Sequence, residues 1–117
     1  MALCILGVED DPLVRFAAAQ ILADAGFETV EAGDADQALD VLKNPQQEID
    51  VLFTDVRMPG RMNGLVLAKI AQTKRPQLRV IVTSGYYERE ELPRGADFLE
   101  KPWSASDLIS KIKRAAA

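Results

Sequence analysis

Residues 3–8 are continuously apolar and are closed by Glu9, Asp10 and Asp11. A run this short without alternation predicts a strand covered on both faces, as in a parallel sheet, where a half-exposed strand would alternate. A helix signal follows: Asp11 can cap, Pro12 suits the first helical position, and Leu13, Phe16, Ala17, Ile21 and Leu22 recur on one face until Gly26. The alternation then repeats. Residues 27–32 read as a second strand, Gly33 and Asp34 open a helix with the apolar face Ala38, Leu39 and Leu42, and Asn44-Pro45 closes it. Residues 50–54 form a buried apolar run ending at Asp55.

A polar loop from Arg57 through Met58, Pro59, Gly60 and Asn63 to Gly64 precedes a helix carrying Leu65, Leu67, Ala68 and Ile70. Pro76 separates it from a fourth strand, residues 80–83. Between Gly85 and Gly95 the pattern weakens, since Pro93 allows at most a turn or so of helix over residues 88–92. That segment is expected to be mobile, with Tyr86 or Tyr87 in a partner surface. A brief strand at residues 97–99 leads to a last helix opened by the Ser104/Asp107 capping box, with Leu108, Ile109 and Ile112 inward and Lys111, Lys113 and Arg114 near its C-terminus. Five strands alternating with four clear helices predict an α/β fold with a parallel sheet, right-handed crossovers and helices on both faces. Ligands in such sheets bind beyond the carboxyl ends of the strands.

Composition narrows the chemistry. At 117 residues the chain predicts one domain, and 48% apolar residues suffice for its core without disulfides or structural metal. With 14 basic and 18 acidic residues the net charge is −4, which argues against direct nucleic-acid binding and against a polybasic membrane anchor. There is no histidine and Cys4 is the sole cysteine, so thiolate or imidazole zinc sites and Ser-His-Asp or Cys-His catalysis within the chain are excluded. No apolar run approaches the ~18 residues of a membrane span, and the default expectation is a cytoplasmic protein with protein partners. Cys4 and Trp103 read as structural, and Met58 and Met62 as loop packing.

At the strand ends stand Glu9 and Asp10, Asp55, Thr83 and Ser84, and Lys101. Three carboxylates at one sheet edge repel one another unless a lysine or a hard divalent cation offsets them, and Mg²⁺ accepts one or two carboxylates while leaving positions for phosphate. Asp55, the lone acid, is the candidate nucleophile; Glu9 and Asp10 are candidate metal ligands. Lys101 supplies a second cation, and Thr83 a hydroxyl for a phosphoryl oxygen.

In order and location, Val8-Glu9-Asp10-Asp11-Pro12, Asp55-Val56-Arg57-Met58-Pro59, Val82-Thr83-Ser84-Gly85 and Lys101-Pro102 resemble the response-regulator receiver domain of two-component signalling. The resemblance spans essentially the whole chain. It implies a flavodoxin-like three-layer sandwich of strand order 2-1-3-4-5, with a short or degenerate fourth helix. It further implies Asp55 as phospho-acceptor, Glu9, Asp10, Asp55 and the Arg57 carbonyl as Mg²⁺ ligands, Lys101 as the phosphate-binding lysine, Thr83 and Phe98 as the switch pair, and a cis bond to Pro102. The phosphate would come from a histidine kinase or phosphotransfer protein, and the output would be altered affinity for a downstream protein, with no enzymatic activity beyond self-phosphorylation and self-dephosphorylation.

Several features depart from the usual pattern. The loop after Met58-Pro59 is one residue longer, Arg57 places a bulky cation near the site, and the stretch from Thr83 to Lys101 is shorter by about one helical turn of ~3.6 residues. Residues 1–117 are expected to be the receiver alone, without an output domain, or a piece of a hybrid kinase. Two rival readings are a small Mg²⁺-dependent phosphohydrolase with an aspartyl nucleophile and a receiver-like binding module that is never phosphorylated. The first lacks a D-x-D arrangement after the first strand and any cap domain; the second conflicts with a complete set of acid and lysine positions.

Overall fold

The computed structural model describes residues 2–60, 62–85 and 92–117. Along the chain run β1 (Cys4–Val8), α1 (Pro12–Asp24), β2 (Glu28–Ala32), α2 (Ala35–Lys43), β3 (Val51–Asp55), α3 (Gly64–Lys74), β4 (Arg79–Ser84), β5 (Asp97–Glu100) and α4 (Ala105–Ala116). The strands form one parallel sheet in the order β2-β1-β3-β4-β5, as expected. The chain steps outward from β1 to β2 and then returns across β1 to β3, so the order reverses between β1 and β3. Their carboxyl ends carry Glu9 and Asp55, and this reversal is where an open α/β sheet leaves a crevice.

Covering on both faces explains the unbroken apolar strands. One core cluster contains Leu6, Val8, Leu52, Val80 and Val82 beneath α2 and α3; the other contains Ile5, Val51, Phe53 and Ile81 beneath α1 and α4. Successive residues of the three central strands thus enter opposite cores, following the period-two alternation of side chains.

Local signals at the helix ends act as the sequence predicts. Asp11 accepts from the Leu13 amide and Asp34 from Gln37, while Ser104 and Asp107 complete the reciprocal box; Asn63, which the sequence pattern assigns to the loop, also caps, accepting from Leu65 and Val66. Beyond α1 the backbone takes φ +95° at Gly26, a left-handed turn that glycine adopts without Cβ strain. Arg75, at the end of α3, donates to the carbonyls of Leu42, Asn44 and Gln47 and so satisfies the C-terminal end of α2.

The inward face of α1 differs from the expectation. Ala18 and Leu22 are its buried residues, whereas Leu13 and Phe16 are 81% and 63% exposed and Ala17 is exposed as well. The apolar positions of α1 extend around more of the helix than the sheet can cover, so periodicity alone selected a stripe rotated toward solvent. The strand expected over residues 27–32 begins at Glu28, because the Phe27 amide closes the end of α1 on the Leu22 carbonyl. The helical turn expected over residues 88–92, and the proposals for Tyr86 and Tyr87, lie largely outside the described residues.

Candidate functional site

Each acid reaches the crevice because its strand ends there. Glu9 follows β1 directly, its amide donating to the Ala32 carbonyl at 3.1 Å. Asp55 is the last residue of β3 and pairs in register with Thr83 of β4. Carboxylate oxygens of Glu9, Asp10 and Asp55 lie within 4.8 Å of one another, Glu9 and Asp55 buried and Asp10 exposed. Lys101, just past β5, places Nζ 2.6 Å from Glu9 Oε1 and 3.4 Å from Asp55 Oδ2. The four groups expected to meet therefore do meet. The Lys101–Pro102 peptide is cis.

Electrostatics follow from this crowding. Partial burial, then the adjoining Glu9 carboxylate, push the Asp10 carboxyl above the ordinary aspartate range. For Lys101, burial favours the neutral form, but the hydrogen bond to Glu9 and the charges of Asp55 and Glu9 outweigh it, so its pKa lies above the usual lysine value. Three carboxyl groups gathered around one lysine form an oxygen-rich, acid-excess set, which suits a hard divalent cation with oxygen ligands.

Asp55 is fixed by its neighbours. Its Oδ1 accepts from the Val56 amide at 2.9 Å, leaving Oδ2 toward Lys101. Behind it, Thr54 Oγ1 donates to the Asp55 carbonyl at 2.9 Å. Gly64, the first residue of α3, lies so close that a Cβ there would fall 1.8 Å from the Asp55 carbonyl oxygen. Neither Thr54 nor Gly64 was singled out from sequence. The helix-opening Asn63-Gly64 was a visible cue, but only the packing of α3 shows what the missing Cβ permits.

Other candidates stand one step from the carboxylates. Thr83 is buried, and its hydroxyl donates to the Leu99 carbonyl at 2.6 Å. Arg57 is exposed two residues beyond Asp55, and Phe98 is half-buried against the α2/α3 core. Trp103 stacks edge-on against Phe53 with ring centroids 5.9 Å apart, in keeping with its structural reading. Burial, together with Glu28, Asp50 and Glu48, raises the pKa of the Cys4 thiol, consistent with an inert side chain. Among the described residues no helix is long and apolar enough to cross a membrane.

Known proteins share this fold. The family model of the response regulator receiver domain matches residues 5–113. The nitrogen assimilation regulatory protein NtrX of Azorhizobium caulinodans is 36% identical over 98% of this chain, and the sensor kinase CckA of Brucella abortus 32% identical over 93%. The chain spans only 26% and 12% of those two proteins. A CheY-like receiver domain protein from Methanospirillum hungatei JF-1 superposes with a TM-score of 0.91 at 30% identity, covering 99% of this chain and 94% of that one. Family model, sequence relatives and fold agree, and the chain belongs to the response-regulator receiver domains, the phospho-acceptor modules of two-component signalling.

Proposed function

We propose that Asp55 is the phospho-acceptor, taking phosphate from the phosphohistidine of a kinase or phosphotransfer protein. One observation carries the reading: a buried carboxylate at the end of β3 stands 3.4 Å from an ammonium and within 4.8 Å of two further carboxylates. An oxygen of Asp55 attacks phosphorus, the donor's P–N bond breaks, and the leaving imidazole keeps the electron pair and takes a proton from solvent. Lys101 faces the same carboxylate and places positive charge against the transferring oxygens. Glu9, Asp10, the Asp55 carboxylate and the Arg57 carbonyl would hold Mg²⁺, which fits an oxygen-only donor set carrying excess negative charge. When bound, that ion supplies further charge stabilisation to the phosphoryl oxygens.

Transfer is coupled to output through Thr83. Its hydroxyl gives its hydrogen to Leu99 in this structure, so bonding a phosphoryl oxygen on Asp55 requires release of the β5 carbonyl. That exchange alters the β4–β5 edge, where Phe98 lies, and changes affinity for a downstream protein. The protein donor docks on the exposed α1 face: Leu13, Val14 and Ala17 line an apolar groove with Pro102 and Trp103 that opens beside Lys101. The chain turns over only its own acyl phosphate, acts in the cytoplasm, and engages neither nucleic acid nor membrane itself. Acetyl phosphate with Mg²⁺ should add one phosphoryl group, mapped to Asp55 by mass spectrometry and absent in Asp55→Asn. A label on Glu9 or Asp10 overturns the assignment.

A further inference from the structure

The side chain of Arg15 reaches from the first turn of α1 to the backbone that carries the acid pair. Its Nη1 donates to the Glu9 carbonyl at 2.9 Å, and its Nε lies 3.5 Å from Glu31 Oε1 on β2. The guanidinium packs closely over residue 33, where a Cβ would stand 3.3 Å from Nη1. Glu9 is thus held at every polar atom: its amide by Ala32, its carbonyl by Arg15, and its carboxylate by Lys101 and the Asp11 amide at 3.1 Å. Of these restraints, Arg15 is the one supplied by a side chain that touches none of the three clustered carboxylates.

We infer that Arg15 is a positioning residue for the metal-binding acids, fixing the turn after β1 so that Glu9 and Asp10 converge on Asp55. The inference rests on the proposed Mg²⁺ site. Outer partners of metal ligands typically govern affinity by roughly tenfold or more. Charge and position make opposite demands here, which allows a clean test. Arg15 and Glu31 form a neutral pair, so deleting Arg15 leaves an extra negative charge near the site and, on Coulombic grounds alone, tightens cation binding. Loss of positioning weakens it.

Calorimetric titration of Mg²⁺ into the metal-free protein, alongside metal-free thermal melts, separates the two. In Arg15→Ala the dissociation constant should rise about tenfold, with partial recovery in Arg15→Lys, which keeps a donor able to reach the Glu9 carbonyl. If Arg15→Ala does not fold, Arg15→Met retains the aliphatic stem and takes its place. Unchanged or tighter Mg²⁺ binding in the arginine-free variant, with binding lost in Asp10→Asn, overturns the role of Arg15 alone. Normal binding in Asp10→Asn overturns the acid-pair site beneath it.

Discussion

Lys101 stands between two carboxylates and holds the nearer one, Glu9, at 2.6 Å. Because its folded pKa is raised, the stabilisation it provides is fully present below the ordinary lysine value and is lost only as the pH climbs through the raised one. Lys101→Met should therefore lower stability at neutral pH, by about 1.5–3 kcal/mol for a hydrogen bond to a charged group, read from urea melts. Asp10 behaves oppositely. Its raised pKa means that the folded chain binds more protons than the unfolded chain between the ordinary aspartate value and the raised one. Stability without metal falls as pH rises through that window, and the penalty is complete above it. Asp10→Asn should then melt higher than the parent at pH 7 in EDTA, lose that advantage in acid below the ordinary aspartate range, and no longer respond to Mg²⁺. An Mg²⁺-dependent melting shift equal to the parent's would exclude the paired acids as the ion's ligands.

Among the elements, Asp55 is placed by a helix as much as by its own strand. The first turn of α3 rests on the Asp55 carbonyl, and Gly64 permits that approach. A methyl at 1.8 Å from a backbone oxygen has nowhere to go, since neither partner is a flexible side chain. Gly64→Ala should destabilise by about 3 kcal/mol, the upper part of the usual overpacking range, and slow labelling of Asp55 by acetyl phosphate through displacement of β3's end. A denaturation midpoint matching the parent's would show that α3 shifts freely. Thr83 is placed similarly: its position follows from β4, but its bond to Leu99 exists only because β5 lies alongside.

Across the whole molecule, both sheet faces are covered, yet α1 keeps Leu13 and Phe16 in solvent next to the groove beside Lys101. Large apolar side chains clustered near a polar site are a mark of a protein-binding surface. Leu13→Lys together with Phe16→Lys should leave stability within about 0.5 kcal/mol per substitution, as for other exposed positions. The rate of phosphotransfer from a cognate protein donor, relative to that from acetyl phosphate, should fall at least about tenfold, an interface loss near 1.4 kcal/mol. An unchanged ratio would place the donor on another face.

What the chain alone determined is what depends on near neighbours and on strand ends. Apolar runs stopped by acids, capping residues placed before helical faces, and the β-α alternation led to a doubly covered parallel sheet. Such sheets bring their carboxyl ends together, so Glu9, Asp10, Asp55 and Lys101 could be grouped although Lys101 lies 92 positions from Glu9. Packing decided the rest. The side of α1 that faces the sheet depends on how the helix rolls against β2 and β1, and its many apolar positions leave that roll open in the sequence. Gly64 and Arg15 look ordinary in sequence because their meaning lies in distances to backbone oxygens of other segments, 1.8 Å from an absent Cβ and 2.9 Å from a guanidinium nitrogen. Local pattern encodes neither distance; both arise when α3 and α1 settle against the strand ends.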